Sequence, residues 1–386
     1  MASLMVILSD RVSTIITKGE YTPRYYNPGN LFDEVHLLVT NDDRIDWAAL
    51  QYTVGNAKLS VHNLPYDDKV FYWALGYRPS LLKKWAAGGV RLAAEIKPDL
   101  IRCHGNHLNA FIASEIKRKL GIPYIISMHI NPDADMRRLA SWRHDWKEKF
   151  ILLCTKSLEK INITGSDCVI CVYRFIEPYA RKYGARRVEL IYNVVNQENL
   201  LWKENYKLSD PIKLIIPGRQ FRQKNPAPLM QALVKIPNAE LTLIGDGSLH
   251  DYLKELAKDI GIGHRCIFHK SLDNSILCRS LKDYDILVSI NYYGGISKVE
   301  LEAAHVGIPV VTNAHPLEAA PEILGKHCIV VDGSPESYYE GLMKLITDDQ
   351  LRQNLGERLR ESVKGITPEK MEKKLVALYT EFLNSK

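Results

Sequence analysis

Apolar positions along this chain come in short runs of two kinds. Runs rich in Val, Ile and Leu at residues 4–9, 35–40, 100–103, 124–128, 167–173 and 188–193 read as buried strands, and stretches with helical spacing at 81–97 and 108–120 fall between them. The second half repeats the alternation, with strands expected at 213–216, 241–244, 285–290, 309–311 and 328–331 and helices opening near 226, 248, 298, 335 and 368. Strands alternating with helices build a parallel sheet with helices packed on its faces. The expected fold is therefore α/β and doubly wound.

Residues 291–311, N-Y-Y-G-G-I-S-K-V-E-L-E-A-A-H-V-G-I-P-V-V, carry several signals at once. Gly294-Gly295 permits a sharp turn, and Ser297-Lys298-Val299-Glu300 has the spacing of a capping box with Ser297 as N-cap. Gly307 stands where a left-handed residue would end the helix, and Pro309 forbids its continuation. A strand, glycine turn and helix N-terminus present backbone N–H groups and a positive dipole end at the carboxyl edge of a parallel sheet, where phosphates bind. Glu302 lies about 7 Å below the helix start, a depth from which a carboxylate reaches the hydroxyls of a ribose whose diphosphate caps the helix. Taken alone, the stretch is equally a plain βα turn.

A second loop adds cations. In P-G-R-Q-F-R-Q-K-N-P, Asn225 is the expected N-cap and Pro226 the first helical residue, so Arg219 and Lys224 lie in a βα loop where two positive charges can neutralise a diphosphate. Solvated loops carry the same residue types. Gly245-Asp246-Gly247, with Ser248 as N-cap, forms another such turn, and G-x-G by itself is weak evidence of nucleotide binding.

The first half offers candidates with two readings each. His129 stands at the carboxyl end of the strand at 124–128 and is as readily structural as functional; His104 and His107, in the turn His104-Gly105-Asn106-His107, are weaker candidates. Residues 18–26, K-G-E-Y-T-P-R-Y-Y, form an acceptor loop or a solvated surface loop. Residues 136–160 read as one long amphipathic helix, apolar at Leu139, Trp142, Trp146, Phe150 and Leu153 and basic at Arg137, Arg138, Arg143, Lys147 and Lys149. Such a helix either lies on a membrane surface or packs on its own domain. Residues 197–211 are polar and aperiodic, an interdomain linker between domains at 1–200, joined by a closing helix at 367–386, and 201–366.

Composition narrows the class. The 386 residues exceed one ordinary core, and 46% hydrophobic with 25% charged residues is the balance of a soluble globular protein. A net charge of +6 favours anionic ligands but lacks the clustering of a nucleic-acid-binding surface. Seven cysteines, an odd number, point to reduced thiols and a cytoplasmic protein, with peripheral contact at the inner membrane face left open by the basic helix. Cys168-Val-Ile-Cys171 has no second pair at ligand spacing and reads as strand. The apolar N-terminus lacks a positive leader and reads as the first strand rather than a signal peptide.

The run L-E-A-A-H-V-G-I-P-V-V resembles the donor-site helix of the family-four retaining glycosyltransferases of GT-B fold, whose pattern is E-G-F-G-x-x-x-L-E-A-x-A-x-G-x-P-V-V. The resemblance implies two Rossmann-like domains facing a central cleft. It places Glu302 on the donor ribose and the amides of Gly295, Ile296, Ser297 and Lys298 on the diphosphate, while the glutamate that contacts the donor sugar falls on Gly294. Gly218, Arg219 and Lys224 match the family's G-R-x-x-x-x-K, Gly245 begins its G-D-G, and Ile267 and His269 occupy the region whose backbone reads the base. In the first half, His129 matches the histidine beside the reaction centre, and Lys18, Gly19, His104 and Asn193 fall on the acceptor side.

The implied activity is retaining hexosyl transfer from a nucleotide sugar, UDP favoured over GDP, to a glycan, lipid-linked or small-molecule acceptor in polysaccharide or glycoconjugate biosynthesis. Arg219, Lys224 and His129 are the expected catalytic residues, without metal or cofactor; Asp133-Ala134-Asp135 has the letters of a metal motif but reads as a helix-entry turn. Gly294 keeps open a nucleotide-sugar-binding protein without transfer activity, and the same fold serves epimerases and phosphorylases. A dehydrogenase is disfavoured because no G-x-G-x-x-G opens a helix after the first strand. Oligomeric state is not legible.

Overall fold

Seven parallel strands make the first sheet: β1 (Ser3–Leu8), β2 (Glu34–Val39), β3 (Lys58–Asn63), β4 (Leu100–His104), β5 (Tyr124–Met128), β6 (Cys168–Cys171) and β7 (Val188–Leu190), in the order β3-β2-β1-β4-β5-β6-β7. The computed structural model describes residues 1–17, 21–44, 46, 48–67, 78–139, 145–290, 294–318 and 321–385. Every residue of β1, β4, β5 and β6 is buried, because helices cover both faces of the sheet, and this is why these strands read as continuous apolar runs. Leu4 pairs with Val35 on one side and Leu100 on the other, so β1 is an interior strand and the strand order reverses between β1 and β4.

The second sheet comprises β8 (Ile212–Pro217), β9 (Ala239–Ile244), β10 (Cys266–His269), β11 (Ile286–Ser289), β12 (Val310–Asn313) and β13 (Ile329–Val331), all parallel, in the order β10-β9-β8-β11-β12-β13. Its reversal falls between β8 and β11. Leu214, Leu241, Ile286 and Val311 bury fully against Leu229, Leu233 and Leu342 of the covering helices, and each such side chain contributes about 1.5–3 kcal/mol by leaving water. The chain divides into Met1–Asn193 with Glu369–Lys386, and Val194–Pro368. The returning helix Pro368–Asn384 is held in the first unit by Arg24, whose guanidinium donates to both oxygens of Glu372 at 3.0 and 3.1 Å, and by the Tyr379 ring against Phe32.

Three local expectations are corrected. The single helix expected at 136–160 is two, Met136–Leu139 and Trp146–Gly165, because the Asp145 carboxylate accepts from the Glu148 N–H at 2.8 Å and starts a new helix. Trp142 and Arg143 lie outside the described residues. Ser248 is not an N-cap: the helix begins at His250, and the Leu249 and His250 N–H groups donate to the carbonyls of Gln220 and Gly247. Tyr21 and Tyr26 do not sit in a solvated loop; both are buried, with hydroxyls 2.6 Å apart. Cys168 and Cys171 lie within β6 on opposite faces, as an odd spacing in a strand requires, and burial pushes both thiols up to about 12.

Gly307 ends the helix Lys298–Val306 at φ +81°, and a Cβ there would stand 3.0 Å from the Tyr206 hydroxyl and 3.1 Å from the Gly356 carbonyl oxygen. Gly121 has a similar φ of +75° with nothing within 4 Å of the added carbon. Gly121→Ala is expected to lose about 1 kcal/mol for the left-handed backbone alone, and Gly307→Ala more, read as a larger drop in the thermal unfolding midpoint. Equal drops would show that the Tyr206 contact adds nothing.

Candidate functional site

Loops at the carboxyl ends of the two strands that flank a reversal line a crevice, the usual ligand position in an open α/β sheet. In the second unit these are the loops after β8 and β11. The β8 loop is folded tightly onto the turn after β9: the Gly218 N–H donates to the Ile244 carbonyl at 2.8 Å, the Gln220 N–H to the Asp246 carbonyl at 3.0 Å, and the Leu249 N–H to the Gln220 carbonyl at 3.0 Å. A Cβ on Gly245 would run into the Gly218 carbonyl, and one on Gly247 into the Gln220 carbonyl. The G-D-G is thus required by backbone against backbone. Buried Gln220 pairs its side-chain oxygen with His250 Nδ1 at 2.9 Å, which locks the loop from inside.

From this fixed loop Gly218 and Arg219 face solvent, and residues 221–224 close a tight turn in which the Lys224 N–H donates to the Phe221 carbonyl at 2.8 Å. Pro226, not Asn225, is the N-cap of the helix Ala227–Leu233, because the αR proline already turns the chain, while Asn225 still accepts from the Ala227 N–H at 3.0 Å. Burial lowers the pKa of Lys224; Glu300 opposes that shift and the Arg219 cation adds to it. A half-buried ammonium therefore feels both a second cation and a buried carboxylate.

The β11 loop brings the other half. Gly294 and Gly295 take φ of +68° and +73°, and Ser297 and Glu300 form the reciprocal capping box, with the Ser297 N–H 2.7 Å from Glu300 Oε2. Burial raises Glu300, with the Ser297 amide and Lys224 pulling it back. Glu300 thus serves both the helix start and the Lys224 charge. The Gly295 N–H donates to Glu318 Oε2 at 2.7 Å, and burial raises the pKa of that carboxylate. Ile296 is buried and Lys298 exposed at the first turn. Glu302, one turn deeper and buried, accepts from the Asn274 amide at 2.9 Å. Ile267 and His269 share the exposed face of edge strand β10, two strands from the reversal, and the Gly245 N–H donates to the His269 carbonyl at 2.8 Å.

In the first unit, β4 ends in His104 and His129 directly follows β5, and their rings stack with centroids 5.6 Å apart and planes 18° from parallel. Burial drives the pKa of His104 well below its usual value, helped by Arg102 and His129, so it is neutral; Tyr25 and Tyr26 pack against its ring. Beside them is a cavity of 570 Å³, lined by His107, His129, Arg138 and Glu159 together with apolar Ile151 and Leu152. Glu159 is buried and holds Arg138 at 2.5 Å, while the Tyr179 hydroxyl donates to its other oxygen. Asn193 donates its amide to the Tyr173 hydroxyl at 3.0 Å. Lys18 and Gly19 lie outside the described residues.

The profile of the Glycosyl transferases group 1 family matches residues 198–362, and that of Glycosyltransferase Family 4 matches residues 33–199. The chain belongs to the family-four glycosyltransferases of GT-B fold. It is 25% identical over 313 residues to an uncharacterized glycosyltransferase of Methanocaldococcus jannaschii, covering 75% of this chain and 76% of the relative. A sucrose-phosphate synthase from Thermosynechococcus elongatus shares the fold with a TM-score of 0.75 at 16% identity over 100% of both chains. HepE of Anabaena, solved with UDP and glucose, does so with a TM-score of 0.69 at 12% identity over 98% of this chain and 100% of its own.

Several residues of this glycosyltransferase's sites carried no motif. Asn274, Glu318 and the Gln220–His250 pair come from loops and helices remote in sequence from the groups they hold. Glu159 left a faint signal, a carboxylate on the inward face of the helix beside Leu158 and Asn162.

Lys224 must be charged to hold a phosphate, and a lowered pKa means it loses its proton at lower pH than an ordinary lysine. Affinity for a nucleoside diphosphate is expected to fall on the alkaline side, and Lys224→Arg, whose guanidinium stays charged, should remove that fall. Titration calorimetry across pH checks this; an identical pH profile in the variant would take Lys224 out of the binding site.

Proposed function

We propose that this glycosyltransferase transfers a sugar from a nucleotide-sugar donor, with UDP as the nucleotide, with retention of configuration and without a metal ion. The observation that carries this reading is the half-buried Lys224, within the electrostatic reach of Arg219 and Glu300, in the loop after β8 that flanks the strand-order reversal with the capped helix N-terminus after β11. An ammonium desolvated there gains most from a diphosphate that brings negative charge to it. UDP is favoured because HepE, which shares the fold, was solved with it.

Arg219 and Lys224 neutralise the charge that grows on the diphosphate as the bond to the sugar breaks. The acceptor hydroxyl attacks from the face the diphosphate leaves, and a leaving-group oxygen takes the hydroxyl proton, so no separate base is needed. Glu302, oriented by Asn274, binds the ribose; Ile267 and His269 border the base. The acceptor, a glycan, lipid-linked or small molecule, is assigned to the first unit, where His129 faces the 570 Å³ cavity. A second reading, donor binding without transfer, is favoured by Gly294, which brings no side chain to the turn.

Thermal stabilisation by UDP, GDP and ADP sugars, with and without a chelator, tests the donor site. Stabilisation by UDP sugars that survives chelation is expected; loss on chelation would defeat the metal-free reading, and none from any nucleotide would defeat the site. Arg219→Ala and Lys224→Ala should each lower turnover about 100-fold, the effect of removing one such contact. Donor binding with no glycoside formed against an acceptor panel would favour the second reading.

A further inference from the structure

The helix Trp146–Gly165 has two faces. Its inward face carries buried Thr155, Leu158, Glu159 and Asn162, and Ile151 and Leu152 line the cavity. Its outward face is apolar too. Trp146, Phe150 and Leu153 are exposed to 67%, 45% and 65%, and Ile161 to 41%. At 100° per residue the first three fall within about 60° of arc, a continuous stripe along the first two turns. Isolated exposed apolar residues need no explanation, but an aromatic pair and a leucine aligned on one face do.

Lysines frame the stripe. Lys147 lies on one side, its ammonium 5.6 Å from the Trp146 ring centre, and Lys149, Lys156 and Lys160 lie on the other. Asp133 is shared by Lys156 at 3.7 Å and Lys182 at 2.9 Å, so that group keeps a net positive charge. Glu148 falls on the cavity side. An apolar stripe with tryptophan at one end and cations along both borders is complementary to a bilayer whose surface is anionic: the rings and leucine enter the acyl boundary and the ammonium groups remain among the headgroup phosphates.

We propose that this face docks the protein on an anionic lipid surface. Among the described residues no helix is long and apolar enough to cross a membrane, so the contact is peripheral. A second copy of the chain fits the face less well, since pairing two copies would bring lysine rows together.

Co-flotation of the full chain with vesicles of phosphatidylcholine alone, and with vesicles in which about a third of the lipid is phosphatidylglycerol, tests this. Binding is expected to the second kind only and to weaken with salt. The triple variant W146S/F150S/L153S should stay unbound while its far-ultraviolet circular dichroism melt matches the parent. Replacing the four lysines with glutamine should weaken binding by nearly three orders of magnitude, since each cation at an anionic surface is worth about fivefold. Failure to float with either vesicle, flotation of the triple variant, or a dimer in light scattering that the triple variant abolishes would each overturn the proposal.

Discussion

The second unit depends on one constraint, the contact of two backbones at the carboxyl edge of its sheet. Residues 218–220 lie so close to the turn after β9 that positions 245 and 247 have no room for a side chain. Three backbone hydrogen bonds and the Gln220–His250 pair then hold the loop. Arg219 and Lys224 are consequently presented from a rigid frame. Because the strand order reverses between β8 and β11, the helix that begins at Lys298 starts beside that frame.

Electrostatics completes the arrangement. Burial alone would favour neutral Lys224 and neutral Glu300, and each offsets part of the other's shift. Two carboxylates also take amides at the turn: Glu300 accepts from Ser297, and Glu318 from Gly295. The positive end of the helix is therefore balanced within the chain, with the Gly295 amide already held by Glu318.

The first unit uses the same sheet plan with different chemistry at its edge. Burial lowers the pKa of both His104 and His107, and the charged groups in the cavity wall are the Arg138–Glu159 pair with Asp135 and Glu148. A buried ion pair adds little net stability, but removing one partner leaves a costly unpaired charge. The Tyr179 hydroxyl satisfies a further lone pair and steadies the carboxylate.

The sequence by itself determined the elements whose causes are local. Strands buried on both faces show as runs of Val, Ile and Leu, and the capping box at Ser297 and the left-handed Gly307 each follow from residues within one turn. Resemblance to the family pattern singled out Arg219, Lys224, Glu302 and His129 as candidates. Tertiary structure decided the rest because the partners are distant: Asn274 lies 28 positions from Glu302, Glu318 lies 23 from Gly295, and Gln220 lies 30 from His250. The 136–160 stretch shows the limit well. Helical spacing identified its apolar stripe, yet spacing cannot say whether a stripe faces a core or water, and Asp145 split the helix while packing of the opposite face left Trp146, Phe150 and Leu153 outside.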